Sequence, residues 1–325
     1  MNGGLPFPGN DHNAWEEEMM TLTSTSRSCM GALQASVLVG AMATPALAQD
    51  TNGRAVSGDL GIYYQVHGDL GSGMVPFLVL HGGMGTIEGD FGALLPSLAA
   101  RRPVIGVEQQ GHGRTGGRDA PMSLDAMRAD TLAVLDALDV DRVHVVGFSM
   151  GGMLALDLGV FAPERLATLT AISASQNLDG MHPAIAEMNR NPQATPLPEA
   201  LELVPSEEDF ARMRVGFAHN PDGPEQFQRT FAQLQAFIVT DWGWSDEELA
   251  TLAVPTLLAL GDTDFIPVDH AAHMAALIGA QLAVLPDTIH LSIMSRPDWL
   301  LLLIEHRINT SGTGDGAFDW KGDRP

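Results

Sequence analysis

The chain has 325 residues, 45% of them hydrophobic and 18% charged, which suits a packed globular protein and excludes a disordered chain. Against 40 acidic residues it carries only 17 basic ones, Lys321 being the sole lysine, for a formal net charge of −23. Such a surface repels phosphate backbones and anionic headgroups, so no nucleic-acid partner is expected.

The N-terminal stretch reads as an export signal. Arg27 precedes the apolar run Met30–Ala43, and Thr44-Pro45-Ala46-Leu47-Ala48 ends in an A-x-A pattern, predicting cleavage after Ala48. An uncleaved anchor fits less well, because the run carries Gln34 and several small residues and is weak as a span of ~20 residues. The chain is therefore expected to be secreted or periplasmic, without a membrane span once the signal is removed. Glu16, Glu17 and Glu18 carry the wrong charge for the start of a signal, which points to Met19 or Met20 as the initiator. The only cysteine, Cys29, falls inside this signal, so no disulfide and no cysteine nucleophile or cysteine metal site is expected after export.

From Gly61 onward short apolar runs alternate with helical spacing. Strands are predicted at Gly61–His67, Val75–Leu80, Pro103–Val107, Arg142–Gly147 and Ala167–Ser173. Helices are predicted from the Ser123 N-cap to Leu138 and over Gly151–Phe161. This rhythm implies a mostly parallel sheet covered by helices on both faces. It breaks between residues 175 and 248, where seven prolines separate helical segments such as Ser206–Val215 and Gln226–Phe237. Strands return at Pro255–Leu260 and Gln281–Leu285, with helices at Asp269–Ile278 and Trp299–Ile308. The expected organisation is thus a signal at 1–48, a core in two parts (49–174 and 249–309), a helical cap at 175–248 inserted after strand six, and a mobile tail at 310–325. A cap there would overhang the C-terminal edge of the sheet, where sites of α/β proteins lie.

The chemistry centres on Gly147-Phe148-Ser149-Met150-Gly151, a G-x-S-x-G between a predicted strand and a predicted helix. A serine raised on a turn this tight needs small residues two positions either side, and the following helix favours negative charge at the site. Its hydroxyl needs a base. Of the 11 histidines, His290 lies after the last strand, late in the chain, as the order nucleophile, acid, histidine demands. His112 precedes the serine, and His306 sits among apolar neighbours on a helix. His270 and His273 have a spacing that suggests a metal, but no third ligand is evident and a solvated helix face is expected. Gly261-Asp262-Thr263-Asp264 follows a predicted strand. Asp264, further out on the loop, is the choice of acid to orient His290, with Asp262 as the alternative and Asp287 behind both. His81-Gly82-Gly83 ends another strand, so the amides of Gly83 and Met150 are the expected oxyanion donors.

With these residues in this order, the chain from Gly61 to Ile308 resembles the α/β-hydrolase fold family. It is similar to the capped serine hydrolases of the esterase, enol-lactonase, carbon–carbon hydrolase and prolyl iminopeptidase-like group. The loop Glu108–Arg114 resembles that family's D-x-x-G-x-G-x-S loop, with Glu108 in place of the usual aspartate. The haloalkane dehalogenases and epoxide hydrolases of this fold carry aspartate where Ser149 stands, so their chemistry is not implied. The resemblance implies an acyl-enzyme serine hydrolase acting on an ester-like bond of a small molecule, without cofactor or metal. Lactone, amide or carbon–carbon cleavage by the same triad remains open, as does a non-catalytic ligand-binding relative. Met181, Met188, Phe210, Met213, Phe217, Trp242 and Trp244 in the cap hint at an apolar acyl group, although such residues also serve ordinary packing.

Overall fold

A computed structural model describes residues 50–311. The expected signal peptide and nearly all of the expected tail lie outside the described residues.

Eight strands form one sheet: β1 (Thr51–Ser57), β2 (Leu60–His67), β3 (Phe77–Leu80), β4 (Val104–Val107), β5 (Val143–Phe148), β6 (Leu166–Ile172), β7 (Thr256–Gly261) and β8 (Gln281–Leu285). Their order is β1-β2-β4-β3-β5-β6-β7-β8. Only the β1–β2 and β2–β4 pairings are antiparallel. The rest are parallel, as strand–helix alternation requires. β1 was not anticipated. Its sequence TNGRAVS buries only Ala55, because it is an edge strand held chiefly by its register with β2, Thr51 opposite Val66.

Eleven helices are described: α1 (Ile87–Phe91), α2 (Leu95–Ala99), α3 (Leu124–Ala137), α4 (Met150–Phe161), α5 (Pro183–Arg190), α6 (Pro198–Leu203), α7 (Glu207–Gly216), α8 (Gln226–Ile238), α9 (Asp246–Leu249), α10 (Val268–Ile278) and α11 (Pro297–Thr310). Ser123 caps α3 by accepting the Ala126 N–H, and Ser206 opens α7 with a reciprocal capping box to Asp209. The core expected to end at residue 309 ends inside α11, which continues to Thr310, where the Thr310 hydroxyl donates to the His306 carbonyl at 2.8 Å.

Successive residues of β3 serve opposite faces. Leu78 and Leu80 join the core built with Val134 and Leu135 of α3, Leu154 of α4 and Met274 of α10. Phe77 and Val79 join the second core, with Leu98 of α2 and Leu300 and Ile304 of α11. Burial on both faces is why these strands read as unbroken apolar runs rather than alternating ones.

The helical insertion, α5 to α9, runs between β6 and β7. It is tied to the loop after β4: Asn220 Nδ2 donates to the carbonyls of Gly113 and Thr115 at 2.9 Å each, and Thr230 Oγ1 donates to that of Gly111 at 2.8 Å. The insertion therefore lies over the C-terminal edge of the sheet. Among the described residues, no helix is long and apolar enough to cross a membrane.

Candidate active site

Ser149 stands between β5 and α4 with φ 53° and ψ −117°, a backbone conformation that side chains rarely adopt. Its N–H donates to the Ile172 carbonyl at 2.8 Å, pinning the turn to the end of β6. The flanking glycines are demanded by space. A Cβ on Gly147 would stand 2.0 Å from the Gly151 carbonyl oxygen, and one on Gly151 would stand 2.1 Å from the Leu80 carbonyl oxygen.

The three residues chosen from the sequence converge. Ser149 Oγ lies 3.0 Å from His290 Nε2, and His290 Nδ1 lies 2.8 Å from Asp264 Oδ1. With Nδ1–H donating to the carboxylate, Nε2 is left to accept the serine proton. Asp264 is almost wholly buried, which alone would favour its neutral form; His290, the Ser173 hydroxyl and the Ile266 N–H outweigh this and hold its pKa below the usual value. Asp262 points elsewhere. It is exposed and accepts the Thr288 N–H at 3.1 Å, where that amide helps keep its pKa low.

The amides after β3 separate cleanly. The Gly82 N–H donates to Asp90 Oδ2 at 2.7 Å, the Met84 N–H to His112 Nε2 at 3.1 Å, and the Gly85 N–H to the Gly82 carbonyl at 3.1 Å. The Gly83 N–H has no acceptor among the described residues. The Met150 N–H, at the first position of α4, lacks an intrahelical acceptor as any such amide does. These are the two groups proposed from the sequence as oxyanion donors.

Two buried histidines brace this loop. His81 donates from Nδ1 to the Gly82 carbonyl at 2.8 Å and accepts the Gln109 N–H on Nε2 at 3.0 Å. His112 donates from Nδ1 to the Gln110 carbonyl at 2.9 Å, so its Nε2 must be unprotonated to receive Met84. Burial and the nearby His81 ring push the His112 pKa down to about 3.

Sequence reasoning missed several neighbours because they meet the site only through the fold. The Phe265 ring stacks on His290 with centroids 3.8 Å apart, and Phe148 lies against the same imidazole at 5.1 Å. Ser173, with φ 52°, donates to Asp264 Oδ2 at 2.5 Å. Position beside Asp264 and at the end of β6 was the only signal for either residue.

The expectation for the histidine pair of α10 is half corrected. His273 is exposed and lies 3.0 Å from Asp246. His270 instead turns inward, accepting the Gln176 N–H at 3.1 Å, because α10 packs against the loop after β6. No group of three candidate metal ligands occurs among the described residues.

The cap residues also divide. Phe217, Trp242, Trp244 and Met181 are buried in cores, and Met188 and Phe210 pack against them. Met213 lines a cavity of about 380 Å³ with Met84, Asp90, Phe148, Leu291 and Met294; Phe148 adjoins Ser149 in sequence and Leu291 adjoins His290.

The chain is similar to several known proteins. A model described as the alpha/beta hydrolase fold matches residues 75–297. "Putative carbamate hydrolase RutD" of Azorhizobium caulinodans is 31% identical over 238 residues, covering 68% of this chain and 84% of that protein. The 2-hydroxymuconate semialdehyde hydrolase of Pseudomonas sp. strain CF600 is 31% identical over 242 residues, 69% of this chain and 82% of its own. Among solved structures, Est816, described as an N-acyl homoserine lactone degrading enzyme, is similar with a TM-score of 0.63 and 27% identity, covering 78% of this chain and 99% of that one.

Proposed function

Because the chain belongs to the alpha/beta hydrolase fold family, we propose that it is a serine hydrolase cleaving an ester-like bond of a small molecule through an acyl-enzyme. The observation that carries this reading is the continuous contact from Ser149 Oγ through His290 to Asp264, at 3.0 and 2.8 Å.

In this mechanism His290 Nε2 takes the Ser149 proton as Oγ bonds to the substrate carbonyl carbon. The carbonyl π pair moves onto oxygen, where the Gly83 and Met150 amides receive it. Asp264 stabilises the imidazolium. When the tetrahedral intermediate collapses, the alcohol leaves with the proton from His290. Water, deprotonated by the same imidazole, then adds to the acyl carbon, and collapse releases the acid and returns the proton to Ser149 Oγ. Each step uses only the chain's own groups and water. The acyl group would sit in the cavity beside Phe148 and Met213, whose lining mixes apolar side chains such as Met84 and Met294 with Asp90, Asp209 and Arg212.

Cleavage of a lactone is the second reading, favoured by the 27% identical lactone-degrading structure. It needs the same steps, with the leaving alcohol remaining tethered to the acyl group. A panel of p-nitrophenyl esters, acyl lactones, carbamates and amides, run on the protein and on Ser149→Ala, distinguishes these. The ester reading expects p-nitrophenyl esters to be turned over fastest and Ser149→Ala to lose activity. Preference for lactones would replace it with the second reading, and activity surviving Ser149→Ala would contradict both.

Export is the remaining part of the proposal. The run from Met30 to Ala48 supports it, and N-terminal sequencing of protein recovered outside the cytoplasm is expected to begin at Gln49. A start within the globular core would contradict it.

A further inference from the structure

We propose that Asp90 is a positioning residue whose carboxylate fixes the loop presenting the Gly83 N–H, an inference that rests on reading Gly83 as an oxyanion donor. The argument begins with Gly82. Having no side chain, it rotates freely about both backbone bonds unless the two peptide planes flanking it are held. A Cβ there would stand 3.1 Å from the Phe148 ring and 3.3 Å from Ser149 Cβ, so a side chain at Gly82 requires these neighbours to give way by a few tenths of an ångström.

The plane after Gly82 contains the Gly82 carbonyl and the Gly83 N–H, which point in opposite directions across a trans peptide. Its carbonyl is gripped by His81 Nδ1 at 2.8 Å and by the Gly85 N–H at 3.1 Å. The plane before Gly82 contains the Gly82 N–H, and its hydrogen-bond acceptor is Asp90 Oδ2, at 2.7 Å. Together the two grips define the backbone angles of Gly82 and hence the direction of the Gly83 amide. Loss of the Asp90 grip frees one of them.

The surroundings are shaped around this carboxylate. Asp90 comes from α1, whose N-cap Thr86 accepts the Gly89 N–H at 3.0 Å and so fixes the start of the helix that carries Asp90, eight residues after Gly82. A Cβ on Gly85 would stand 2.1 Å from Asp90 Oδ2, so the glycine leaves room for the acid. Burial pushes the Asp90 pKa up, against His81, the Gly82 N–H and His290, which favour the charged form. Either form retains an oxygen able to accept the Gly82 N–H. The role therefore requires an oxygen at this point rather than a charge, and an asparagine supplies one.

The test compares Asp90→Ala and Asp90→Asn by steady-state ester hydrolysis, with Ser149→Ala in parallel. Asp90→Ala is expected to lower kcat at least about tenfold while KM stays within about twofold, because a misaimed donor weakens the transition state more than ground-state binding. Asp90→Asn is expected to recover most of that kcat. Unchanged kcat in Asp90→Ala, or an equal fall in both variants, would overturn the proposal. If Ser149→Ala loses activity while Asp90→Ala keeps it, only this inference fails; if Ser149→Ala stays active, the reading beneath it fails as well. Should the alanine variant not fold, amide exchange of Gly82 in the unaltered protein decides the matter. Protection is expected, and exchange at the rate of an open loop amide overturns it.

Discussion

The imidazole of His290 lies under the ring of Phe265, centroids 3.8 Å apart and planes inclined by 24°. Phe265 follows Asp264 directly, so one short loop supplies both the carboxylate that fixes the His290 tautomer and the surface that fixes its tilt. A stacked pair contributes about 0.5–1.5 kcal/mol beyond the area it buries. Phe265→Leu is therefore expected to lower kcat about two- to tenfold with little change in KM, measured on a p-nitrophenyl ester. A change confined to KM would instead mean that Phe265 lines the substrate pocket.

Asp264→Asn keeps the shape of the acid and removes the charge that holds Nδ1–H toward it. The expected loss in kcat is about 10³- to 10⁴-fold, with folding retained by circular dichroism. Ser173→Ala removes one of the bonds that hold the Asp264 pKa low, and a smaller loss of about tenfold or less is expected. Asp262→Asn is expected to leave kcat near the wild-type value, since Asp262 faces Thr288 rather than His290.

His112 makes stability depend on pH in a defined direction. Its folded pKa is pushed down to about 3, against about 6.5 in an unfolded chain. Above pH 6.5 both states are neutral and the difference vanishes. As pH falls below that value the unfolded chain takes up a proton that the folded protein refuses until about pH 3, so stability drops across this window. The slope from this one group is about 1.4 kcal/mol per pH unit. His144, pushed to about 4 by burial and by Arg102 and Arg142, adds to it. In thermal melts between pH 7 and pH 5, His112→Gln is expected to lose Tm less steeply than wild type. Parallel slopes would contradict the assignment.

Two glycines near Ser149 are expected to respond differently to alanine. At Gly147 the new methyl meets the backbone oxygen of Gly151 at 2.0 Å, which cannot yield without unmaking the turn, so Gly147→Ala should lose about 3 kcal/mol or more, or fail to fold. At Gly83 the methyl meets only the Leu234 side-chain tip, at 2.7 Å. Adding Leu234→Ala to Gly83→Ala is expected to recover most of the lost activity. Failure of that rescue would show that Gly83 itself cannot carry a side chain.

The parts of this protein that were legible in the sequence are those with local causes. Continuous apolar runs marked the doubly covered strands β3 and β4. The crowding around Ser149 left glycines at positions 147 and 151, and the late position of His290 singled it out. What was hidden depends on chain crossings that no window contains. Phe265 and Ser173 become neighbours of the site only when β6 and β7 lie side by side. His270 looked solvated because no third metal ligand was evident beside the pair, and only the loop after β6 gives it a partner. β1 escaped notice because an edge strand with one buried residue has almost no apolar pattern. Trp242 and Trp244 could equally have lined a pocket, and their burial in the main core resolves that choice.

The central claim, that Ser149 is an activated nucleophile, is tested most directly by stoichiometric labelling with a fluorophosphonate followed by peptide mass spectrometry. The account predicts one label per chain, on the peptide containing Ser149, and none on Ser149→Ala protein that melts normally. A wild-type chain that remains unlabelled while folded, or a label that persists in Ser149→Ala, would contradict it.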